Sequence, residues 1–179
     1  MLAFYSVRIY NNLVMGHIDH KIQSPTKVNF AVVTVSDSRT EDTDESGQYL
    51  CNCLKDNGHR LFFYRLLKNE GAEIAQIIKQ LPADVQIVIF SGGTGLSHRD
   101  ITVETVTPLL DKVVPGFGEL FRLLTWEEIG TPSIMSRAVG GAIQGKIILC
   151  LPGSLNAVKL ATERIILPEM GHMVREAAR

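Results

Sequence analysis

Short apolar runs alternate along this chain with segments whose apolar residues recur at helical spacing. The runs predict strands, and their near-continuous Val, Ile and Leu content is typical of strands buried on both faces. The predicted strands are 28–35, 60–67, 85–90, 111–114 and 146–151. Helical spacing predicts helices that carry Gly47 to Leu54, cover 71–81, begin at Thr102 and at Pro115, and cover 131–142, 154–165 and 168–179.

Two of these helices carry more specific expectations. Thr102 is expected to cap the short helix that it begins, because a threonine hydroxyl accepts a hydrogen bond from the free N–H groups of a first turn. The next helix has an apolar stripe that is expected to face the core. The stripe consists of Phe117, Leu120, Phe121 and Leu124.

The alternation of strands with helices predicts an α/β fold with a parallel sheet and helices on both of its faces. In such sheets, ligands bind at the carboxyl ends of the strands. Three polar loops follow strong strands, namely 36–39, 91–100 and 152–154, and they carry small hydroxyl, glycine or charged residues. We therefore expect these three loops to meet at one edge of the sheet and to form a ligand site.

The composition is that of an ordinary globular domain. The 179 residues are 45% hydrophobic and 21% charged, and the formal net charge is -1. This charge, without a long basic run, excludes an electrostatic nucleic-acid footprint, and no apolar stretch is long enough to span a membrane. Three cysteines do not make a complete disulfide set, which favours reduced thiols and a cytoplasmic location.

The pattern of strands and helices begins only at Val28, so we divide the chain into an N-terminal arm, 1–27, and a single domain, 28–179. Three interpretations of the arm are open. It is a solvated tail, a contact between subunits, or sequence upstream of an initiator at Met15.

The loop after the third predicted strand has the composition of an anion-binding turn. The turn consists of Ser91, Gly92, Gly93, Thr94 and Gly95. Glycines let backbone N–H groups approach a phosphate closely. The loop ends in Arg99, which adds positive charge, and in Asp100, whose carboxylate can hold hydrated Mg²⁺. Because neither a Walker lysine motif nor a dinucleotide-binding glycine pattern is present, the loop predicts a different type of nucleotide or phosphorylated-cofactor site.

Polar residues of the other two loops allow two interpretations each. Ser36 and Asp37 either cap the turn that follows the first strand or contact the ligand. Ser154 either caps the helix that it precedes or joins Pro152 and Gly153 in an anion site made of free N–H groups.

The roles of three further residues also allow more than one interpretation. Asp44 precedes a helix and is a candidate for ligand contact. Glu119 is solvated or pairs with Arg122, unless the site reaches it. His98 is either an exposed loop residue or an acid–base group near neutrality. Since no nucleophile–base–acid set is visible, phosphoryl or nucleotidyl transfer by positioning and charge neutralisation fits these residues better than covalent catalysis.

Six motifs occur in a fixed order along the chain. They are VTVSDSRT (33–40), DESG (44–47), SGGTGLSHRDITVE (91–104), PGFGELFR (115–122), IGTPSIMSRAVGG (129–141) and LPGS (151–154). In this order and spacing they resemble the MoaB/MogA family of molybdenum cofactor biosynthesis proteins. The resemblance covers the chain from Val28 to Met173, and FGELFR, WEEIG and SRAVGG are more similar to the MoaB branch than to MogA.

This resemblance implies a three-layer α/β fold with a mostly parallel sheet, assembled as a homotrimer or homohexamer that binds molybdopterin. It also implies an adenylyltransferase, in which the terminal phosphate of molybdopterin attacks the α-phosphate of Mg²⁺-ATP and pyrophosphate leaves. By position, Asp100 matches an essential aspartate of the family that we assign to Mg²⁺ and phosphate positioning. The glycine turn then cradles phosphate, while Ser36, Asp37, Pro152, Gly153 and Ser154 line the cleft for pterin and nucleotide.

One position departs from the family pattern. The second catalytic aspartate of the family falls at Asn69, in Leu66-Leu67-Lys68-Asn69-Glu70, unless the segment shifts so that Glu70 takes its place. An asparagine keeps an oxygen ligand but loses the negative charge. Two functions are therefore implied: an adenylyltransferase in which Asp100 carries most of the catalysis, or a non-catalytic oligomer that carries molybdopterin.

Overall fold

A six-stranded sheet forms the centre of the structure, a computed structural model that describes residues 23–179. The strands are β1 (Asn29–Val35), β2 (Arg60–Leu67), β3 (Ile87–Ser91), β4 (Lys112–Val113), β5 (Val139–Ile143) and β6 (Lys146–Leu151). The helices are α1 (Glu45–Asp56), α2 (Gly71–Lys79), α3 (Thr102–Val106), α4 (Pro115–Ile129), α5 (Leu155–Ala161) and α6 (Leu167–Ala177). Residues 1–22 of the expected arm lie outside the described residues.

Short turns of helix connect several of these elements. Single 3-10 turns cover Glu41–Thr43, Thr107–Leu109 and Thr131–Met135. A π turn, Thr162–Ile166, joins α5 to α6. Within residues 23–179, no helix has both the length and the apolar character needed to cross a membrane.

The strands follow the order β2-β1-β3-β6-β5-β4, with a parallel and an antiparallel side. β1 pairs in parallel with β2 and β3, and β3 pairs in parallel with β6. β5 is antiparallel to both β6 and β4. The predicted mostly parallel sheet is therefore confirmed, and the four parallel strands all end at the same edge.

Alternate residues of the central strands contribute to two apolar cores, one on each face of the sheet. In β1, Phe30 and Val32 pack into one core and Val33 packs into the other, because successive side chains of a strand point to opposite faces. Residues of α1, α4, α5 and α6 complete the first core, and residues of α2 and α3 complete the second. This arrangement confirms a three-layer α/β fold with helices on both faces.

The predicted helix over 131–142 is wrong. The chain instead forms the 3-10 turn and then β5, which returns through Gln144 and Gly145 to pair with β6. A Cβ atom on Gly141 would lie 2.5 Å from the carbonyl oxygen of Lys112 in β4. Gly140 and Gly141, which fall inside the predicted helix, thus permit close packing of strands.

Two side-chain expectations are corrected as well. Thr102 does not cap α3: its hydroxyl donates to the carbonyl oxygen of Gly92 at 2.9 Å, and Ile101 occupies the N-cap position. In α4, Phe117 and Phe121 are buried as expected, whereas Leu120 is 41% exposed. The apolar surface of α4 therefore extends beyond the stripe that faces the core.

Candidate functional site

The loops that follow β1, β3 and β6 meet at the carboxyl edge of the parallel strands and enclose a cleft of about 580 Å³. The expected convergence of these loops is thus observed, as the strand order requires. Of the residues predicted for the site, those that line the cleft are Ser36, Asp37, Asn69, Gly92, Gly93, Thr94, Gly95, Arg99, Asp100, Pro152 and Gly153.

The glycine turn has a backbone that other residues adopt only with strain. Gly92 and Gly93 have φ angles of +99° and +62°. A Cβ atom on Gly92 would lie 2.3 Å from the carbonyl oxygen of Val35, so the turn also packs directly against the end of β1. The backbone N–H of Thr102 donates to the carbonyl oxygen of Gly93 at 2.9 Å. Such a turn presents backbone donors in a fixed concave arrangement, which suits an anion.

Arg137 binds the glycine turn at Gly95, its last residue, and fixes its position. One of its nitrogens, Nη1, donates to the carbonyl oxygen of Gly95 at 3.0 Å, and the other, Nη2, pairs with Glu104. This ion pair lowers the pKa of the Glu104 carboxyl. Because a guanidinium is rigid and planar, Arg137 holds the turn in one orientation relative to α3.

Asp100 closes the same loop, and its carboxylate lies beside Gly95. Its Oδ2 accepts the backbone N–H of Ser97 at 3.2 Å. Within residues 23–179, no three His, Cys, Asp or Glu side chains form a group able to hold a metal ion. A single carboxylate nevertheless fits Mg²⁺ bound with a nucleotide, since that ion takes most of its ligands from phosphates and water.

A contact between Asp37 and Asn69 joins the loops that follow β1 and β2 at the edge of the cleft. The Asp37 Oδ1 accepts the backbone N–H of Asn69 at 3.0 Å, and Lys68 Nζ donates to the Asp37 carbonyl oxygen at 2.7 Å. The Asn69 backbone hydrogen bond lowers the pKa of the Asp37 carboxyl, and so do the Asn69 side-chain amide and the nearby Arg99. Arg99 Nε lies 3.6 Å from Asp37 Oδ2. The cleft therefore contains an ionised carboxylate whose partner at 69 is an amide donor.

The other side of the Asn69 amide faces the glycine turn. Its Oδ1 is buried without a hydrogen-bond partner, and a Cβ atom on Gly93 would lie 2.5 Å from it. Asn69 is thus packed between Asp37 and the glycine turn.

Both serines make the capping hydrogen bonds that one of their two interpretations expects. The Ser36 hydroxyl oxygen accepts the backbone N–H groups of Ser38 and Arg39, at 3.4 and 3.2 Å. The Ser154 hydroxyl oxygen accepts the N–H of Ala157 at 3.3 Å and caps α5. Ser36 also lines the cleft, whereas Ser154 does not.

Asp44 lies behind the cleft and not in its lining. Its fully buried carboxylate accepts from Arg39 Nη1 at 3.1 Å and from the Tyr64 hydroxyl at 2.7 Å. It also accepts the N–H of Gly47 at 3.1 Å, which makes Asp44 the N-cap of α1. Burial and the adjacent Asp44 carboxylate raise the pKa of Tyr64, so the phenol stays a donor. Asp44 therefore contacts the cleft through Arg39.

Three other predicted residues also lie outside the lining. Ser91 is the buried last residue of β3, and Glu119 is exposed on α4. His98 is exposed in the loop that carries the glycine turn. The structure brings none of the three into the cleft.

Sequence reasoning missed three residues between α4 and β5. Met135 and Ser136 line the cleft, and Arg137 fastens the glycine turn. All three fall in the segment that was expected to be helical, so their position at the cleft was hidden. The signal that was available is the Gly140-Gly141 pair, because two glycines in a helix interior disfavour a regular helix.

Fold and cleft together define a class of protein: a three-layer α/β domain with a glycine turn, a carboxylate and arginines at the carboxyl edge of its parallel strands. Comparison with known proteins narrows this class. Residues 31–172 match the family described as "Probable molybdopterin binding domain". The chain belongs to this family.

Relatives of high similarity are named molybdenum cofactor biosynthesis protein B. The one from Bacillus cereus is 45% identical over 168 residues, which cover 92% of this chain and 99% of that protein. A crystal structure of a molybdenum cofactor biosynthesis protein B has a TM-score of 0.82 at 45% identity and covers 87% of this chain and 98% of its own. The tungsten cofactor synthesizing protein MoaB from Pyrococcus furiosus has a TM-score of 0.79 at 34% identity, over 87% of this chain and 100% of its own.

Proposed function

We propose that this protein acts in molybdenum cofactor biosynthesis, where it binds molybdopterin in the cleft and adenylylates it with Mg²⁺-ATP, releasing pyrophosphate. Family membership and the names of the relatives support the pathway. The observation that carries the reaction type is the glycine turn with Asp100 at its end, because together they offer phosphate donors and a magnesium-binding carboxylate in one cleft.

The proposed reaction is a transfer of AMP between two phosphates. An oxygen of the molybdopterin phosphate forms a bond to the α-phosphorus of ATP, the bond from that phosphorus to the β-phosphate oxygen breaks, and pyrophosphate leaves. Backbone N–H groups of residues 93–95 in the turn bind phosphate oxygens, and the Arg99 guanidinium offsets their negative charge. Asp100 would hold Mg²⁺, and the ion would neutralise charge on the triphosphate. Catalysis is then by positioning and electrostatics, without a covalent enzyme intermediate.

The test is pyrophosphate release by the purified full chain with molybdopterin, ATP and Mg²⁺. Asp100→Asn should lower the rate by about 100-fold or more, because it removes the charge that holds the metal. Its melting temperature should stay near that of the wild type, since a loop carboxylate contributes little to the core. Asp84→Asn, an exposed residue before β3, is the matched control and should keep full activity.

A wild-type rate no higher than that of Asp100→Asn would contradict adenylylation. A marked fall in the melting temperature of Asp100→Asn would instead indicate a structural role for this carboxylate.

The second candidate is a non-catalytic carrier of molybdopterin, and Asn69 is the observation that favours it. The Asn69 side chain lies where the family's second aspartate is expected, and it lowers the pKa of Asp37 without adding negative charge. Tight binding of molybdopterin without pyrophosphate release is the expected result for a carrier. Turnover that appears only in Asn69→Asp would show that the lost charge is the reason.

The proposal includes a homotrimer or homohexamer in the cytoplasm. Apolar side chains exposed on α4 and the following turn support an assembly, because monomeric proteins seldom expose large contiguous apolar patches. We call this the α4 surface, and its residues are Leu120, Leu123, Trp126, Ile129, Ile134 and Met135. Free cysteines at 51, 53 and 150 support a reducing compartment.

A further inference from the structure

Arg39 and Arg99 are two cations of the cleft whose carboxylate partners lie in different surroundings. Both line the cleft. Arg99 is 70% exposed, and its carboxylate partner, Asp37, is itself a cleft residue. Arg39 has an exposed side-chain fraction of 31%, and its partner Asp44 is fully buried behind the cleft. Arg39 is therefore the more firmly oriented of the two.

The support of Arg39 is a set of buried polar groups. Asp44 accepts from Arg39 through Oδ1 and from the Tyr64 hydroxyl through Oδ2, at 3.1 and 2.7 Å. A Cβ atom on Gly47 would lie 2.1 Å from Asp44 Oδ2 and 2.9 Å from the Tyr64 ring, so glycine is required for this packing. A buried carboxylate with these partners fixes the orientation of the donor that it contacts.

The first turn of α1 also contacts the loop that follows β6, which is the third loop of the cleft. The Ser46 hydroxyl donates to the carbonyl oxygen of Gly153 at 2.9 Å. The start of α1 thus fixes Arg39 on one loop and Gly153 on another. The glycine turn and Asp100 belong to the loop between them in the sheet order. The cleft therefore has anion-binding groups of two kinds: backbone donors of the turn and an oriented guanidinium.

We propose that Arg39 binds a phosphate oxygen of the ligand, and that Asp44 and Tyr64 are positioning residues that orient its guanidinium. This rests on the proposed function and adds a second phosphate contact to the glycine turn. A guanidinium has five N–H donors, and the contact to Asp44 uses Nη1, so donors are left for a phosphate. The phosphate belongs to the nucleotide or to the phosphorylated pterin.

The experiment measures equilibrium binding to the full chain by calorimetry, without turnover, for three probes: inorganic pyrophosphate, Mg²⁺-ATP and molybdopterin. Arg39→Gln should weaken binding of the probe that contacts Arg39 by about tenfold or more, since a charge-assisted hydrogen bond is lost. Arg39→Lys should recover part of the affinity, because it restores the charge but not the planar fork. Arg60→Gln, exposed at the start of β2, is the matched control and should bind like the wild type.

The probes distinguish the source of the phosphate. Weaker binding of Mg²⁺-ATP and pyrophosphate, with molybdopterin unchanged, assigns Arg39 to the nucleotide. Weaker binding of molybdopterin alone assigns it to the pterin phosphate.

The positioning residues are tested by Tyr64→Phe, which keeps the ring and removes only the hydroxyl that contacts Asp44. Binding should weaken by about three- to tenfold, as expected for one lost hydrogen bond. In the background of Arg39→Gln the same change should have no further effect on binding, because its effect passes through Arg39. A purely structural role for Tyr64 would weaken binding equally in both backgrounds.

Unchanged binding of every probe by a folded Arg39→Gln overturns the inference and leaves the proposed function intact. If Arg39→Gln does not fold, Arg39→Lys and Tyr64→Phe decide the question, and wild-type affinity in both overturns the inference. Failure of the wild type to bind any of the three probes overturns the inference and the proposed function together.

Discussion

At the scale of single residues, the contact between Asp37 and Asn69 determines where negative charge lies in the cleft. The backbone N–H of Asn69 donates to the Asp37 carboxylate, and this bond and the nearby side-chain amide of Asn69 lower the pKa of Asp37. The lowered pKa contributes stability above the ordinary value of about 3.9, and this contribution is lost as the pH falls through the folded pKa. An aspartate at 69 would reverse the situation, because two adjacent carboxylates repel each other.

Asn69→Asp is therefore expected to be destabilising in a pH-dependent way. The pKa of the carboxylate pair is raised by repulsion, so the penalty is absent below the ordinary carboxyl pKa of about 3.9 and grows as the pH rises through the raised value. Melting temperatures relative to the wild type should be similar at pH 4 and lower for the variant at pH 7.5. Millimolar Mg²⁺ should recover the loss at pH 7.5 by binding between the carboxylates.

Asn52→Asp, an exposed change on α1, is the control for added charge and should show no recovery with Mg²⁺. A melting temperature of Asn69→Asp that matches the wild type at both pH values would mean that the carboxylate at position 69 moves away from Asp37.

Single residues also show which parts of the site could be predicted from the sequence. The glycine turn and Asp100 were predicted because composition and position after a strand are local properties. Capping by Ser36 and Ser154 was one of two interpretations, since the choice depends on a hydrogen-bond geometry that only the folded loop defines. Asp44 was placed in the site, although it is buried behind it, because a sequence does not reveal its partner Tyr64 on another strand.

At the scale of elements, the β5–β6 hairpin shows why a strand that contains a glycine pair was predicted as part of a helix. Gly140 and Gly141 follow a short 3-10 turn and lie between closely packed neighbours. A Cβ atom on Gly140 would lie 3.0 Å from Phe117, and one on Gly141 would lie 2.5 Å from the backbone of Lys112. The local sequence lacks the period of a strand, and the strand exists because its neighbours leave room only for glycine.

Gly141→Ala is accordingly expected to destabilise the fold by about 1–3 kcal/mol, because the added methyl group must displace β4. Urea unfolding measures the loss. Gly116→Ala is the matched control, since a Cβ atom there meets nothing within 4 Å and the residue begins α4. Alanine at that position should be neutral or stabilising by up to about 1 kcal/mol. Equal free energies of unfolding of the two variants would show that β4 moves away from the added methyl group without loss of stability.

At the scale of the whole molecule, the α4 surface is the feature that a single chain leaves unexplained. Five of its side chains are more than half exposed in the described structure: Leu123, Trp126, Ile129, Ile134 and Met135. Met135 belongs both to this surface and to the lining of the cleft. A subunit that covers the α4 surface would thus lie next to the proposed site.

Leu123→Asp is expected to shift the protein from an oligomer toward monomers, because a charge would be buried in an apolar contact. Light scattering after size-exclusion chromatography measures the mass. Phe62→Asp, a change on the edge strand β2 outside the α4 surface, should leave the assembly intact. A monomeric wild type would contradict the proposed assembly, and a Leu123→Asp protein with the wild-type mass would show that the α4 surface is not the contact.

The sequence by itself determined the three-layer α/β class, nearly all strands and helices, and the edge at which the loops meet. The reason is that apolar periodicity and glycine composition act within one element or one turn. Only the tertiary structure decided that 139–143 is a strand, that Asp44 supports Arg39, and that Arg137 holds the glycine turn. These depend on contacts between residues far apart in the chain, and no local pattern encodes such contacts.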